Sequence, residues 1–500
     1  MFRLLSCVAL IAITSMSSAQ LAQETEPNDT TATANGPVQA GVFVSAAIAS
    51  AADVDVYLVP VSGSGKLSIG VHGPRGATFS WTLRHPMGSI VMESNSGRRP
   101  ELATFTVPVS SQGTTHTLEV RRETIDGSPL GSSPYSLGVA YVDSSPRPTK
   151  PASITNAFVG SAVDSPQDPQ QGPGIMLMGG GAEVDLQFRD FVWPILNRGN
   201  IVVIRTGTST GYQSYFNVDI PALFSPAQTP ASVETLQINS VAKANDPYTS
   251  WVVSRAELVW FAGGDQSLYV NYYKGTALER AVHQAYMRGA VVGGTSAGAM
   301  IMGQYVYDPD GVTAVTSAQA LANPYHPSVL LTTNFFRFPI LQGVIVETHT
   351  EYGTPSNPLR LGRLSAFMAR LKTDFGATHI HGLAPDDSGG IFVNSDRIAI
   401  ADRSRYTVWI LAEDGATQLI RCVAGQSLAY QQLIRWRAAG TVDVPTVPLG
   451  QTFDLDTGTK TGGARIRVSV DNSVSTPADW YNEPGDDPSA PVQLTAFEVD

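Results

Sequence analysis

Cysteine is nearly absent: the 500 residues hold two, Cys7 and Cys422. Cys7 falls in an apolar leader, so Cys422 would stand alone and no internal disulfide is expected; a lone thiol of this kind reads as a small buried apolar residue. Long hydrophobic runs are missing too. Beyond the leader nothing approaches the ~20 apolar residues that a membrane-spanning helix needs, so no span is expected. Charge is sparse, at 15% of residues, with 43 acidic side chains against 32 Lys and Arg and a formal net charge of -11. That balance argues against nucleic acid or an anionic membrane surface as partner. No histidine–carboxylate grouping has ligand spacing, so neither a metal nor a cofactor is expected.

What is present is an apolar content of 43%, which suits folded domains, in a chain too long for one core. Arg3, the apolar run from Leu4 to Thr14 and the small residues Ser17-Ser18-Ala19 read as a secretory signal over residues 1–19, hence an exported protein, extracellular or periplasmic. From 24 to 143 short strands are broken by Gly, Pro and Ser, several alternating apolar and polar residues as in Lys66-Leu67-Ser68-Ile69-Gly70-Val71. With no helix to cover a face, two sheets must cover each other, which predicts an antiparallel β-sandwich. This segment resembles the bacterial pre-peptidase C-terminal domain, through Glu26-Pro27-Asn28-Asp29, Asp53-Val54-Asp55-Val56-Tyr57 and Tyr135-Ser136-Leu137. The resemblance implies an accessory module of a secreted hydrolase. Asp53 and Asp55 either contribute to a cation site or solvate the exposed face of a strand.

Residues 144–151, SSPRPTKP, have no apolar period and read as a linker. From 152 to 456 apolar runs alternate with helical stretches, which predicts an α/β domain with a mainly parallel sheet flanked by helices. A polar extension is expected over 457–500. In such sheets ligands sit at the carboxyl ends of the strands. Three glycine clusters fall there: Gly179-Gly180-Gly181, Gly263-Gly264-Asp265-Gln266 and Gly293-Gly294-Thr295-Ser296.

The stretch Ala290–Met300, AVVGGTSAGAM, reads as strand, sharp turn and helix, with Ser296 held on the turn and Gly294 and Gly298 allowing helix and strand to approach. A serine nucleophile needs a base, and a base needs an acid to orient it. His72, His85 and His116 lie in the first domain, and His283 is inside the helix before the serine. His349 follows the run Val344 to Val346 and shares a sheet edge with Ser296, while His379 and His381 compete with it. Asp386, Asp387 and Asp265 are the candidate acids. Ala297 and the glycines around Gly264 offer backbone N–H groups for an oxyanion.

Together, VWFAGGDQSLYV, AVVGGTSAGAMIMG, GVIVETHT, LRLGRL and GLAPDDSGGIFV, in that order from about Ile175 to Ile400, resemble the cyanophycinase branch of serine peptidases, which also includes aspartyl dipeptidase. The resemblance implies a fold like class I glutamine amidotransferases, with Ser296 as nucleophile, His349 as base and Asp387 as acid. It also implies Gln266 as a pocket residue and Arg360 and Arg363 as pocket-lining arginines suited to a substrate carboxylate. Asp265 and Glu347 join the expected substrate-binding set, Glu347 as an acceptor for a substrate arginine. Glu347-Thr348-His349-Thr350 and Asp386-Asp387 depart from the family's usual residues, and a short insertion is expected at 351–356. The implied function is a secreted serine hydrolase of cyanophycin or related β-aspartyl or aspartyl peptides. A catalytically impaired extracellular binding protein and a peptidase for another acidic peptide are the alternatives. The implied partner is a peptide or polymer substrate, with a homodimer left open.

Overall fold

The computed structural model describes residues 22–123, 133–350, 359–401, 407–439, 450–481, 483 and 485. The signal expected over 1–19 and the insertion expected at 351–356 lie outside these residues.

The N-terminal strands form two facing sheets. One orders Ala22–Gln23, Phe43–Ile48, Ser133–Asp143, Gly65–His72 and Glu101–Thr106; the other orders Asp55–Val61, Thr114–Glu123, Thr78–Arg84 and Ile90–Ser94. All pairings are antiparallel except that of Ala22–Gln23 with Phe43–Ile48. Alternation along each strand sends Tyr57, Val59, Leu67, Ile69, Trp81, Leu118 and Leu137 into a shared core.

Residues 144–151 do not hang free. The Arg147 guanidinium bonds Tyr248 Oη at 2.6 Å, pairs with buried Glu234, and lies over the rings of Phe158 and Tyr248, each 5.1 Å from its carbon. A cation stacked on aromatic faces and paired with a carboxylate straps the connector down.

Beyond it, the central five strands Ser232–Gln237, Asn200–Arg205, Leu258–Phe261, Val291–Thr295 and Gly174–Met178 are parallel, as expected. Their near-continuous Val, Ile and Leu content follows from burial on both faces. The expectation of one mainly parallel sheet needs correction. Antiparallel strands flank the parallel core, Thr155–Gly160 on one side and Gly390–Val393, Ile398–Ala401 and Thr452–Asp454 on the other. A second, mixed sheet runs from Leu331–Thr333 through Tyr305–Tyr307, Val344–Val346, His381–Pro385, Thr407–Ala412 and Ala429–Ala439 to Ala464–Asp471 and Val474–Thr476. The cause is connection length: Gly390–Val393 and Ile398–Ala401 are joined by a short turn, which permits only antiparallel pairing. The segment from 457 is likewise more than a polar extension. Ala464–Asp471 alternates inward and outward residues and pairs with Ala429–Ala439, while Trp480 and Tyr481 are buried.

Candidate active site

Val291–Thr295 lies in the middle of the parallel core, and the chain turns sharply at its carboxyl end. Ser296 takes φ 54° and ψ -123°, a left-handed value that a non-glycine residue adopts only when its surroundings hold it there. The turn is held by the Ser296 N–H, which donates to Met178 O at 3.0 Å, and by Ala297–Met300, which starts a helix at once. A Cβ on Gly294 would come within 2.5 Å of the Gly298 backbone, and one on Gly298 within 2.1 Å of Phe261 O. Both glycines are therefore required for the close approach of helix and strand.

Val344–Val346 pairs in parallel with His381–Pro385, so the residues after both strands emerge at one edge. His349 and Asp387 stand there. Ser296 Oγ lies 2.7 Å from His349 Nε2, and His349 Nδ1 is hydrogen-bonded to Asp387 Oδ1. With Nδ1 donating to the carboxylate, Nε2 is the acceptor for the serine proton. The competing histidines face away from this edge. His381 begins its strand, at the end opposite Asp387, and burial first, then Arg397, pushes its pKa down to about 3. His379 lies two residues earlier and is exposed.

The loop Gly179–Ala182 packs under the histidine and the aspartate. A Cβ on Gly180, whose φ is 130°, would lie 2.2 Å from His349 Cε1 and 2.7 Å from Asp387 Oδ1. Ser388 N–H donates to Gly180 O at 2.6 Å, and Ser388 Oγ accepts from Ala182 N–H at 2.8 Å, fixing the turn that presents Asp387. The glycine cluster was visible in the sequence; its contact with the imidazole was not.

The expected pocket residues divide. Ala297 N–H opens the helix beside the serine. A Cβ on Gly263 would be 3.5 Å from Ser296 Cβ, so the loop of Gly263 and exposed Gly264 lies against the nucleophile turn, pinned by Tyr269 Oη donating to Ala262 O at 2.7 Å. Asp265 is the N-cap of the helix Gln266–Tyr273, its Oδ1 accepting from Ser267 N–H at 2.9 Å, which occupies that oxygen structurally. Gln266 is half-buried at the first position of this helix.

Glu347 and Arg363 require correction as substrate contacts. They form a buried bidentate pair, Arg363 Nε to Glu347 Oε2 at 2.8 Å and Nη2 to Oε1 at 2.7 Å; Arg363 Nη1 also donates to Val315 O at 3.0 Å. Burial raises the Glu347 carboxyl pKa, but Arg363 outweighs it and holds it below the ordinary range. Neither charge is available for a ligand, because two ions this deep in the protein are tolerated only by compensating each other. Arg360 stands at the N-cap of Leu361–Phe375, donates to Thr348 O at 2.8 Å and lies 3.6 Å from Glu347. Asp387 is among the charges it feels, so it lies near the triad.

One carboxylate grouping with ligand spacing lies far from this edge, in the sandwich. Oxygen atoms of Glu24, Glu26 and Asp55 lie within 4.8 Å of one another. Asp55 is fully buried rather than on a solvent-facing strand surface, and its Oδ1 and the Oδ1 of buried Asn28 have no donor. Asp53 does not join them; it accepts from Ala49 N–H. Oxygen-only donors at this spacing suit a hard divalent cation.

The sequence pattern of peptidase family S51 matches residues 208–323, which include Gly264, Gln266 and Ser296. No curated protein matches the chain. Among solved structures, a peptidase from an acI-B1 Actinobacterium is 14% identical over 59% of this chain and 97% of its own, with a TM-score of 0.34. A putative peptidase E protein from Listeria monocytogenes is 17% identical over 45% and 95%, with a TM-score of 0.26. The pre-peptidase C-terminal domain of a Bacillus anthracis collagenase is 19% identical over 21% and 98%, with a TM-score of 0.17. With the family pattern lying across the strand, turn and helix that carry Ser296, the chain is a serine-type peptidase similar to peptidase family S51.

Proposed function

We propose that this is a secreted peptidase acting on cyanophycin or on related β-aspartyl or aspartyl peptides through an acyl-enzyme. Ser296 Oγ attacks the substrate carbonyl carbon while His349 Nε2 takes its proton. Asp387 holds the imidazole in the required tautomer and stabilises the imidazolium. Backbone N–H groups of Ala297 and Gly264 receive the oxyanion. The tetrahedral intermediate collapses as His349 gives the proton to the leaving amine, and water, deprotonated by the same imidazole, releases the acid product and restores Ser296. The observation that carries this reading is the continuous chain from Ser296 Oγ to His349 to Asp387 at one sheet edge. Arg360 beside the triad supplies positive charge for a substrate carboxylate.

The test is hydrolysis of cyanophycin and of β-aspartyl and α-aspartyl dipeptides by the mature protein and by Ser296→Ala. The expected result is turnover on at least one of these substrates, reduced at least about a thousandfold in the variant with its circular dichroism unchanged. Undiminished hydrolysis by Ser296→Ala rejects the mechanism, and activity on dipeptides without activity on the polymer narrows the substrate.

A further inference from the structure

The loop that offers the Gly264 N–H to the oxyanion is poorly fixed by its own sequence. The peptide between Gly263 and Gly264 is flanked by two residues without a Cβ, so it can turn over at little steric cost. Tyr269 is what holds it. This side chain is fully buried on the helix Gln266–Tyr273, one turn after the cap Asp265. Side chains of a helix lean towards its N-terminus, which brings the Tyr269 hydroxyl back to the loop that precedes the helix. There Oη donates to Ala262 O at 2.7 Å and lies 3.3 Å from Gly263 O. A Cβ on Gly264 would be 3.3 Å from that Oη, whereas one on Gly263 would be 3.5 Å from Ser296 Cβ, so the loop is held between the hydroxyl and the nucleophile turn. In a planar trans peptide the C=O and the N–H point opposite ways. Drawing Gly263 O towards Tyr269 therefore sends the Gly264 N–H away from it. The ring is fixed as well, stacked on Tyr273 with centroids 5.4 Å apart and meeting Phe261 edge-on at 6.2 Å. Burial raises the pKa of the phenol, with Arg205 opposing and Asp265 adding, so the hydroxyl keeps the proton that it donates.

We propose that Tyr269 is a positioning residue for the oxyanion, its hydroxyl setting the direction in which Gly264 presents its N–H to the tetrahedral intermediate. This rests on the reading of Ser296 as nucleophile. A donor aimed in advance stabilises developing charge without reorganising at the moment of reaction, and a donor on an unheld glycine peptide loses that advantage.

The experiment compares Tyr269→Phe with Tyr273→Phe. Each removes one buried hydroxyl from the same helix and keeps the ring, but Tyr273 Oη donates to Ile238 O at 2.7 Å, away from the oxyanion loop. On the aspartyl dipeptide turned over fastest, Tyr269→Phe should lower kcat about 10- to 100-fold with KM little changed, while Tyr273→Phe should stay within about twofold of the wild type. The second readout is inhibition by the corresponding aspartyl aldehyde. Ser296 Oγ adds to its carbonyl carbon, the serine proton passes to His349, and the oxygen comes to rest at the same N–H groups. Its affinity should fall by the same factor as kcat in Tyr269→Phe, whereas the dissociation constant of the intact dipeptide, measured by calorimetry in a Ser296→Ala background, should not move. An unchanged kcat in Tyr269→Phe, an equal loss in Tyr273→Phe, or a lowered kcat with undiminished aldehyde affinity overturns the assignment while leaving Ser296 in place. Persistent turnover by Ser296→Ala rejects the nucleophile, and the role of Tyr269 with it.

Discussion

At Gly180 two constraints coincide, a left-handed backbone and the absence of room for a Cβ beside His349 and Asp387. Gly180→Ala would have to push the imidazole or move the loop. Misplacing a reacting group by about 1 Å can cost about a hundredfold in rate. Gly180→Ala is therefore expected to lower kcat about a hundredfold while changing KM little, measured by steady-state kinetics. An unaltered kcat would show that the loop yields without moving the imidazole. At this same scale the sequence was informative where the signal is local. Strand, glycines, serine and small residues are contiguous around Ser296, and His349 and Asp387 each directly follow an apolar run. It was uninformative about Glu347 and Arg363, whose pairing depends on how the helix Leu361–Phe375 is rotated against the end of Val344–Val346. A pattern of charged residues alone cannot distinguish a pocket arginine from one that neutralises a buried acid.

Among the elements, the strand Asp55–Val61 carries a carboxyl group into the sandwich core. Burial is the main cause that pushes Asp55 up to about 8; Tyr135, donating to it, opposes the shift and Glu24 adds to it. The folded form thus binds the proton more tightly than the unfolded form, whose ordinary value is 3.8. The stabilisation from that proton is full below the unfolded value and is lost as pH rises towards 8. The melting temperature of the sandwich should accordingly fall by several degrees between pH 5 and pH 8, and Asp55→Asn should flatten the profile. Calcium at pH 8 should restore the wild type and leave the variant unmoved, because the cation replaces the proton as counter-charge to the three carboxylates. Scanning calorimetry across pH, with and without calcium, decides it; a flat wild-type profile would mean that the cluster costs nothing. Strand alternation made the sandwich legible from the chain. The gathering of Glu24 and Glu26 around Asp55 was not, since Glu24 follows the edge strand Ala22–Gln23 of one sheet while Asp55 opens a strand of the other, and they meet only when the sheets face each other.

Across the whole molecule, the sandwich is built into the peptidase unit rather than tethered to it. Helix Ala277–Met287, which leads into the nucleophile strand, is covered by the sandwich along its outer face. His283 Nε2 accepts from Arg337 N–H at 3.3 Å, so its Nδ1–H donates to Gly41 O at 3.2 Å, and burial lowers its pKa to about 3. Phe43 meets the His283 ring edge-on at 5.3 Å and Tyr286 at 6.1 Å. A Cβ on Gly138 would stand 2.8 Å from Met287 Cε, so the methionine packs directly onto the glycine backbone. Ion pairs flank the apolar patch, Lys66 with Asp168 at 2.7 Å and Arg99 with Asp456 at 2.5 Å. Phe43 and Ala140 of the sandwich share one continuous core with Val292 and Ala297 beside the nucleophile. Removing residues 24–143 would uncover Tyr286, Met287 and Phe338 together, and each large apolar side chain returned to water costs about 1.5–3 kcal/mol. The truncated unit is expected to aggregate on expression or to bind a hydrophobic dye strongly, with a melting temperature more than about 10 °C below that of the intact chain. The proline-rich stretch suggested separable modules because composition reports chain stiffness, not what the flanking surfaces bury. A truncated unit that is monomeric, dye-negative and melts within a few degrees of the full protein would mean that the helix holding the nucleophile strand is stable without its cover.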